Sequence, residues 1–163
     1  MKEQGTIEEL TQVPDVTATI LELAGLGSSV EGKSLLPFAK SRGVPWRDVA
    51  ISTPSLIHGA LGGVRPTVTT KKWSLILAST ETALGKEEYT MMVDGKPRLL
   101  RPFGKVESEL YDLTSDPKQQ INVLNENKEV AKEIKQRFVS ELTRLNARQA
   151  VIHPWLNCKG LDL

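Results

Sequence analysis

Residues 125–148 read NENKEVAKEIKQRFVSELTRLNAR, and this segment has the clearest periodicity in the chain. Apolar residues recur at helical spacing, and the positions between them are charged. The apolar side comprises Val130, Ala131, Ile134, Phe138, Val139, Leu142 and Leu145. The polar side comprises Lys128, Lys132, Glu133, Lys135, Arg137, Glu141 and Arg144, with Glu133 and Arg137 spaced for an i,i+4 ion pair. The pattern predicts a long helix that covers a core with one face.

Upstream of this helix, the chain has the composition of short strands. β-Branched and aromatic residues alternate with turn formers. The candidate strands are 49–52, 64–70, 73–77, 89–93 and 109–113. Asp94-Gly95 predicts a tight hairpin turn after 89–93, and Pro97 limits the returning strand to an edge or to a very short piece.

The N-terminal part contains a second, shorter helical pattern over 14–25. Its apolar residues are Val16, Ile20, Leu21, Leu23 and Ala24. Pro14 and Asp15 suit a first turn, and Gly25 suits a stop. The order predicts an α+β fold, with a small, mainly antiparallel sheet of about four strands packed against the long C-terminal helix. We assign 1–150 to one domain and expect 151–163 to form an extended tail that Trp155 docks.

Composition excludes several classes of function. The 163 residues carry 21 Lys and Arg against 20 Asp and Glu, a net charge of +1, which removes the electrostatic argument for binding nucleic acid or a membrane surface. No apolar run has the ~20 residues of a membrane span, and no signal peptide is visible, so the compartment stays open. Cys158 is the only cysteine, which excludes an internal disulfide and a cysteine-based metal cluster.

Few residues are candidates for a chemical role. His58 with Ser52 or Ser55 is one hypothesis for a nucleophilic pair, although a polar loop residue is the interpretation we favour for His58. His153 and Cys158 fit an incidental place in the tail.

The carboxylates offer oxygen donors of the kind that calcium and magnesium prefer. Asp15, Asp112 and Asp116 each have a simpler structural explanation, at a helix start, a strand end and an Asp-Pro turn. We therefore predict no catalytic, cofactor-binding or metal-binding residue in this chain.

Four blocks resemble the sulfatase family of the alkaline-phosphatase superfamily. The family's helix and following turn are similar to residues 15–25 (DVTATILELAG) and 31–37 (EGKSLLP). Its Trp-Arg and middle strands are similar to 46–48 (WRD) and 68–76. Its C-terminal block is similar to 109–113 (ELYDL) with Asp116, Pro117, Gln120 and Asn122. This order and spacing cover about residues 10–146. The differences from the family pattern are Ala18, Thr69, Ser74 and Gln120.

The resemblance concerns only the family's C-terminal portion. The family's nucleophile is a formylglycine made within Cys/Ser-x-Pro/Ala-x-Arg. The residues around Cys158 lack the Pro and the Arg, and 52–56 (STPSL) has Leu56 where the Arg belongs. The calcium ligands and the catalytic Lys and His of the family have no counterparts here, so calcium is expected only in a complete sulfatase.

The resemblance implies a non-catalytic, C-terminal sulfatase-like subdomain that buttresses a catalytic core. Such a part exposes the apolar surface that meets the core, so we expect a homo-oligomer or a missing catalytic domain as the partner. The alternative is a free-standing protein-interaction module that has kept a sulfatase-derived fold. A third hypothesis is residual hydrolase activity that uses His58 with Ser52 or Ser55.

Overall fold

The fold was analysed in a computed structural model that describes residues 6–27, 30–40, 46–53, 65–78, 89–100, 107–158 and 160–161. The helices are α1 (Val13–Leu23), α2 (Leu36–Lys40), α3 (Lys128–Arg144) and α4 (Gln149–Ile152). The strands are β1 (Ala50–Ser52), β2 (Thr67–Thr69), β3 (Trp73–Ile76), β4 (Tyr89–Val93), β5 (Lys96–Leu100) and β6 (Glu109–Asp112). The predicted α+β fold is confirmed.

Four strands form one antiparallel sheet in the order β1-β2-β3-β6. In the register, Leu75 of β3 lies opposite both Val68 of β2 and Leu110 of β6. These three side chains are fully buried and share one face, because directly opposed residues point to the same side of a sheet. Helix α3 packs on β2 and β3 and closes the core on that face.

Helix α3 buries the side that its sequence predicts, with one exception. Ala131, Ile134 and Phe138 are buried, and Val139 is among the partly buried residues around them. Lys135, which we assigned to the polar face, is only 6% exposed. Its Nζ donates to the carbonyl of Leu156 at 3.0 Å, so the stem packs inside while the ammonium reaches a backbone acceptor.

Strands β4 and β5 form a separate two-stranded sheet. The turn between them is Asp94-Gly95, where both residues have positive φ, 53° and 72°. That geometry confirms the predicted hairpin, because such turns need residues that tolerate the left-handed region. Pro97 of β5 pairs with Met92 of β4. Both strands of a two-stranded sheet are edge strands, where a proline is tolerated.

The C-terminal segment differs from the extended tail we expected. Residues 149–152 form α4, and a 3-10 turn follows over His153–Trp155. Trp155 meets Phe138 edge to face at 5.9 Å between ring centroids, and Cys158 and Leu161 are buried in the same core. The segment is helical because it returns along α3 and completes the core. Among the described residues, no helix is long and apolar enough to cross a membrane.

Candidate functional site

The most elaborate polar cluster surrounds Asp15 in the first turn of α1. Its carboxylate is fully buried and accepts two hydrogen bonds from the Arg47 guanidinium, at 2.5 and 2.6 Å. It also accepts the backbone N–H groups of Gln12 at 2.7 Å and Lys33 at 2.8 Å. The residues near Asp15 thus donate four hydrogen bonds to it, which leaves little acceptor capacity for a ligand.

A glycine allows this cluster to assemble. A Cβ at Gly32 would overlap the carbonyl of Pro14, so only glycine lets the 31–35 segment lie against the first turn of α1. Three residues after Gly32, the N–H of Leu35 donates to Thr19 Oγ1 at 2.9 Å, and Thr19 Oγ1 donates to the carbonyl of Asp15 at 2.6 Å. The two N-terminal blocks of the family resemblance therefore form one structural unit.

The Trp46 ring lies beside the Arg47 side of this ion pair, and Phe38 packs against that ring. The guanidinium lies 5.3 Å from the centroid of the Trp46 ring, which meets Phe38 edge to face at 4.6 Å. Trp46 Nε1 donates to the carbonyl of Leu10 at 2.6 Å. Burial raises the pKa of Asp15, but the hydrogen bonds from Arg47 and the two backbone amides outweigh it, so the pKa lies below the ordinary value. Asp15 is a buried structural anion.

A second cluster lies at β6. Tyr111 Oη donates to Glu109 Oε2 at 2.5 Å, and Arg65 Nη2 donates to Glu109 Oε1 at 2.9 Å. The bond to Glu109 and burial raise the pKa of Tyr111 to about 12. Burial raises the pKa of Glu109, yet the bonds from Tyr111 and Arg65 bring it below the ordinary value. Arg65 balances the charge of Glu109, while Arg65 Nε is buried without a hydrogen-bond partner among the described residues.

The carboxylates at the end of β6 and just beyond it stabilise turns. Asp112 accepts the N–H of Thr114, and Asp116 Oδ2 accepts those of Gln120 and Ile121 at 2.6 and 2.8 Å. Asn122 attaches the same loop to the sheet. Its Oδ1 accepts the N–H groups of Leu110 and Leu124, which binds the loop to the outer edge of β6. This accounts for the spacing of the C-terminal block.

The structure places the residues that differ from the family pattern without giving them a site. Ala18 is buried on α1, on the same side as Asp15, and Thr69 lies on β2. Ser74 is buried on β3 opposite Tyr111, and its hydroxyl has no hydrogen-bond partner. Gln120 is exposed and takes part through its backbone.

The candidate nucleophiles are not brought together within the described part of the chain. Ser52 is exposed at the end of β1, whereas Ser55 and His58 lie outside the described residues. Cys158 is fully buried, and its Sγ lies 3.4 Å from the carbonyl of Trp155, which accepts its hydrogen bond. His153 is exposed in the 3-10 turn. Among the residues described, no three His, Cys, Asp or Glu side chains form a group that could hold a metal ion.

Sequence reasoning missed a charged groove of about 410 Å³ between α3 and the segment before β1. It is lined by Asp48, Val49, Glu133, Gln136, Arg137, Ser140, Glu141 and Arg144. Arg137 binds Glu133 at 2.5 Å, as predicted, and also Asp48 at 2.7 Å. These carboxylates raise the pKa of Arg137, the bond to Glu133 contributing most. The charges on α3 were visible in the sequence, but the distant partner Asp48 was not.

The apolar side of α1 faces solvent. Val13 is 84% exposed and Leu23 is 69% exposed, with Val16 and Ile20 between them at 53% and 60%. We call these four residues the α1 seam. Helices of globular proteins ordinarily turn such a stripe to the core, so an exposed one marks a contact surface.

Solved structures that share this fold include the following three. A 4S-sulf protein from a core genetic locus for the metabolism of multiple glycosaminoglycans in Bacteroides thetaiotaomicron is 21% identical, with a TM-score of 0.55 over 89% of this chain and 29% of its own. A protein solved with its substrate D-glucosamine-2-N,6-O-disulfate is 21% identical, with a TM-score of 0.54 over 79% and 23%. A candidate sulfatase from Bacteroides thetaiotaomicron is 17% identical, with a TM-score of 0.54 over 80% and 24%.

The fold is therefore that of the C-terminal region of sulfatases, as the sequence blocks predicted. The chain spans about a quarter of the length of the proteins it matches. No protein-family model matches the sequence, and no curated protein matches it. At identities near 20%, the likeness establishes the fold.

Proposed function

We propose that this chain is the non-catalytic, supporting C-terminal part of a sulfatase-type hydrolase, whose reactive centre lies in another part of the enzyme. The observation that carries the proposal is the coverage: most of this chain matches about a quarter of each sulfatase-like structure. Coverage of that kind is expected if this chain corresponds to one part of a larger enzyme.

The roles of the reactive side chains support this proposal. Asp15 is neutralised by Arg47 and backbone amides, and Glu109 by Arg65 and Tyr111. Cys158 is fully buried. Ester cleavage needs an accessible nucleophile and cations aimed at the developing charge. Asp15, Glu109 and Cys158 are instead engaged within the fold.

The fold family implies calcium, and the acidic residues described here do not fit it. Calcium takes six to eight oxygen ligands from a converging set of carboxylates and carbonyls. Asp15 is saturated by cationic and N–H donors, and Asp116 Oδ2 already accepts two backbone N–H groups. We therefore derive no step through a metal ion.

A turnover assay tests the proposal. The purified chain is incubated with an aryl sulfate and with a phosphomonoester, each with and without calcium. We expect hydrolysis no faster than in buffer under all four conditions. Turnover that disappears in His58→Ala and persists in His153→Ala would contradict the proposal and support the residual-enzyme hypothesis.

The alternative is a free-standing interaction module, for which the exposed α1 seam would be the contact surface. The two functions differ in what precedes this segment in the gene. A Cys/Ser-x-Pro-x-Arg motif in frame upstream of Met1 would support the hydrolase part. A ribosome-binding site directly before Met1 would support the module.

A further inference from the structure

We propose that Asp94-Gly95, the turn between β4 and β5, is a modification site at which the aspartate isomerises through a cyclic imide to isoaspartate. Asp94 is the one aspartate of the chain that is followed by glycine, and every other aspartate precedes a residue with a side chain. Because glycine has no Cβ, its nitrogen is the least hindered in attacking the side chain before it. The sequence offers this dipeptide, and the structure of the turn makes it reactive.

The hairpin leaves both reacting groups accessible. The last paired residues are Val93 and Lys96, so Asp94 and Gly95 form the whole of a two-residue loop outside the ladder. Both residues of the loop are exposed. A Cβ built on Gly95 would meet no atom within 4 Å, so the Asp94 carboxyl has room to approach the Gly95 nitrogen.

The turn lies one peptide rotation from the geometry of ring closure. Closure brings Cβ and the next nitrogen to the same side of the Cα–C bond, which requires a ψ of about −120° at the aspartate, the value at the first central residue of a type II′ turn. That residue has a φ of about +60° in types I′ and II′ alike, and Asp94 has a φ of 53°.

The rotation does not require the hairpin to open. Gly95 has a φ of 72°, which makes the observed turn type I′, and rotating the peptide between the two residues converts it to type II′. Glycine adopts either sign of φ, so Gly95 permits the change. Both turn types close two-residue hairpins, so Val93 stays paired with Lys96.

The reaction needs no reagent other than water. The Gly95 nitrogen attacks Cγ of the protonated Asp94 carboxyl. The N–Cγ bond forms, and the amide hydrogen and the carboxyl hydroxyl leave together as water. Water then opens the imide at one of its two carbonyls. Breaking the N–Cγ bond restores aspartate, whereas breaking the bond from the nitrogen to the main-chain carbonyl carbon leaves Gly95 attached through Cγ, which is isoaspartate.

The modification should loosen the hairpin and spare the core. Isoaspartate adds one carbon to the backbone of the loop, and the length of the loop sets the register of β4 and β5. These two strands form a sheet separate from β1-β2-β3-β6, so the core beneath α3 should keep its stability. The inference does not depend on the proposed function, because it uses no residue to which that function gives a role.

Incubation of the purified full chain for several weeks in weakly acidic buffer tests the proposal. Enzymatic carboxyl methylation with a labelled methyl donor detects isoaspartate, and mass spectrometry of the tryptic peptide 87–98 locates it. We expect label at Asp94 and none at Asp48, whose side chain is 73% exposed but which precedes Val49. Gly95→Asn tolerates positive φ but hinders the nitrogen, so it should slow labelling about tenfold.

Asp94→Asn is the matched positive control, because an asparagine at this position closes to the same imide with loss of ammonia and suits the same turn. It should be labelled faster than the wild type. The wild-type chain should also be labelled at least as fast when folded as when unfolded in urea, since the turn favours ring closure. Labelling about tenfold slower in the folded chain, or unaffected by Gly95→Asn, would overturn the proposal.

Discussion

At Asp15 a single carboxylate connects three segments that are distant in the sequence. It lies in α1, its guanidinium partner Arg47 is 32 residues away, and the Lys33 amide comes from the segment between. A buried ion pair adds little net stability, because desolvation offsets the attraction, but removing one partner leaves the other charge uncompensated. The pair therefore specifies where α1 lies.

Asp15→Asn should lower the free energy of unfolding by about 3 kcal/mol, because Arg47, whose side chain is 10% exposed, would keep its charge without a counter-ion. Urea denaturation measures the change. Glu133→Gln is the matched control, since it breaks an ion pair with a 62% exposed carboxylate and should cost no more than about 0.5 kcal/mol. Equal costs for the two variants would refute the role given to Asp15.

The lowered pKa of Asp15 also predicts how stability responds to acid. Because the pKa is lower in the folded state than in the unfolded state, the stabilisation is fully present above the unfolded value of about 4. It is lost as the pH falls through the folded value. Urea denaturation at a series of pH values should show a loss below about pH 4 that is smaller in Asp15→Asn. An identical acid response in both proteins would count against the buried anion.

Tyr111 gives a spectroscopic test of the cluster at β6. Its pKa of about 12 results first from the hydrogen bond to Glu109, so Glu109→Gln should move it down towards the ordinary value of 10.0. The chain has two tyrosines, and a Tyr89→Phe background isolates the signal. Ultraviolet titration of the phenolate measures the shift. A titration unchanged by Glu109→Gln would show that the carboxylate does not hold the hydroxyl.

Among the elements, the C-terminal segment is the one that contributes more to the core than its sequence pattern predicts. Trp155→Ala should lower the free energy of unfolding by about 3 kcal/mol, because it removes a ring that is 8% exposed and packed on Phe138. The neighbouring Leu156→Ala, at 43% exposure, should cost about 0.5 kcal/mol and serves as the control. Chemical denaturation of both variants compares them. A smaller loss for Trp155→Ala than for Leu156→Ala would mean that the segment does not belong to the core.

Elements with a repeating pattern could be predicted from the sequence. The stripe of α3, the strand from Trp73 and the Asp94-Gly95 turn are each decided by residues within a few positions of one another. Local pattern failed where a distant segment decides the environment. The local pattern predicts that Lys135 is a surface residue. In the structure its Nζ donates to the carbonyl of Leu156, which belongs to the C-terminal segment.

The candidate site was less predictable than the fold, for the same physical reason. Periodicity identifies the apolar side of α1 but not which side the protein covers, and the ion pair between Asp15 and Arg47 reverses the usual choice. The groove beside α3 depends on Asp48, which binds Arg137 from 89 residues away. The family blocks carried information that periodicity did not, because they record which distant segments meet.

As a whole molecule, the described part of the chain joins a well-packed body to an exposed apolar face of α1. The sheet, α3 and the C-terminal segment share a single core, and the polar clusters described above serve the fold. The α1 seam is an apolar surface that is exposed in this chain. The proposed role as a supporting part of a larger hydrolase agrees with both features, and most of the chain matches about a quarter of each sulfatase-like structure.

The initial rate of aryl-sulfate hydrolysis, measured in calcium against the concentration of purified chain, is the decisive observation. If the reactive centre lies in another part of the enzyme, the rate stays at the buffer value at every concentration. A rate that rises in proportion to the protein, and that His58→Ala abolishes while His153→Ala preserves, would show that this chain carries its own active site.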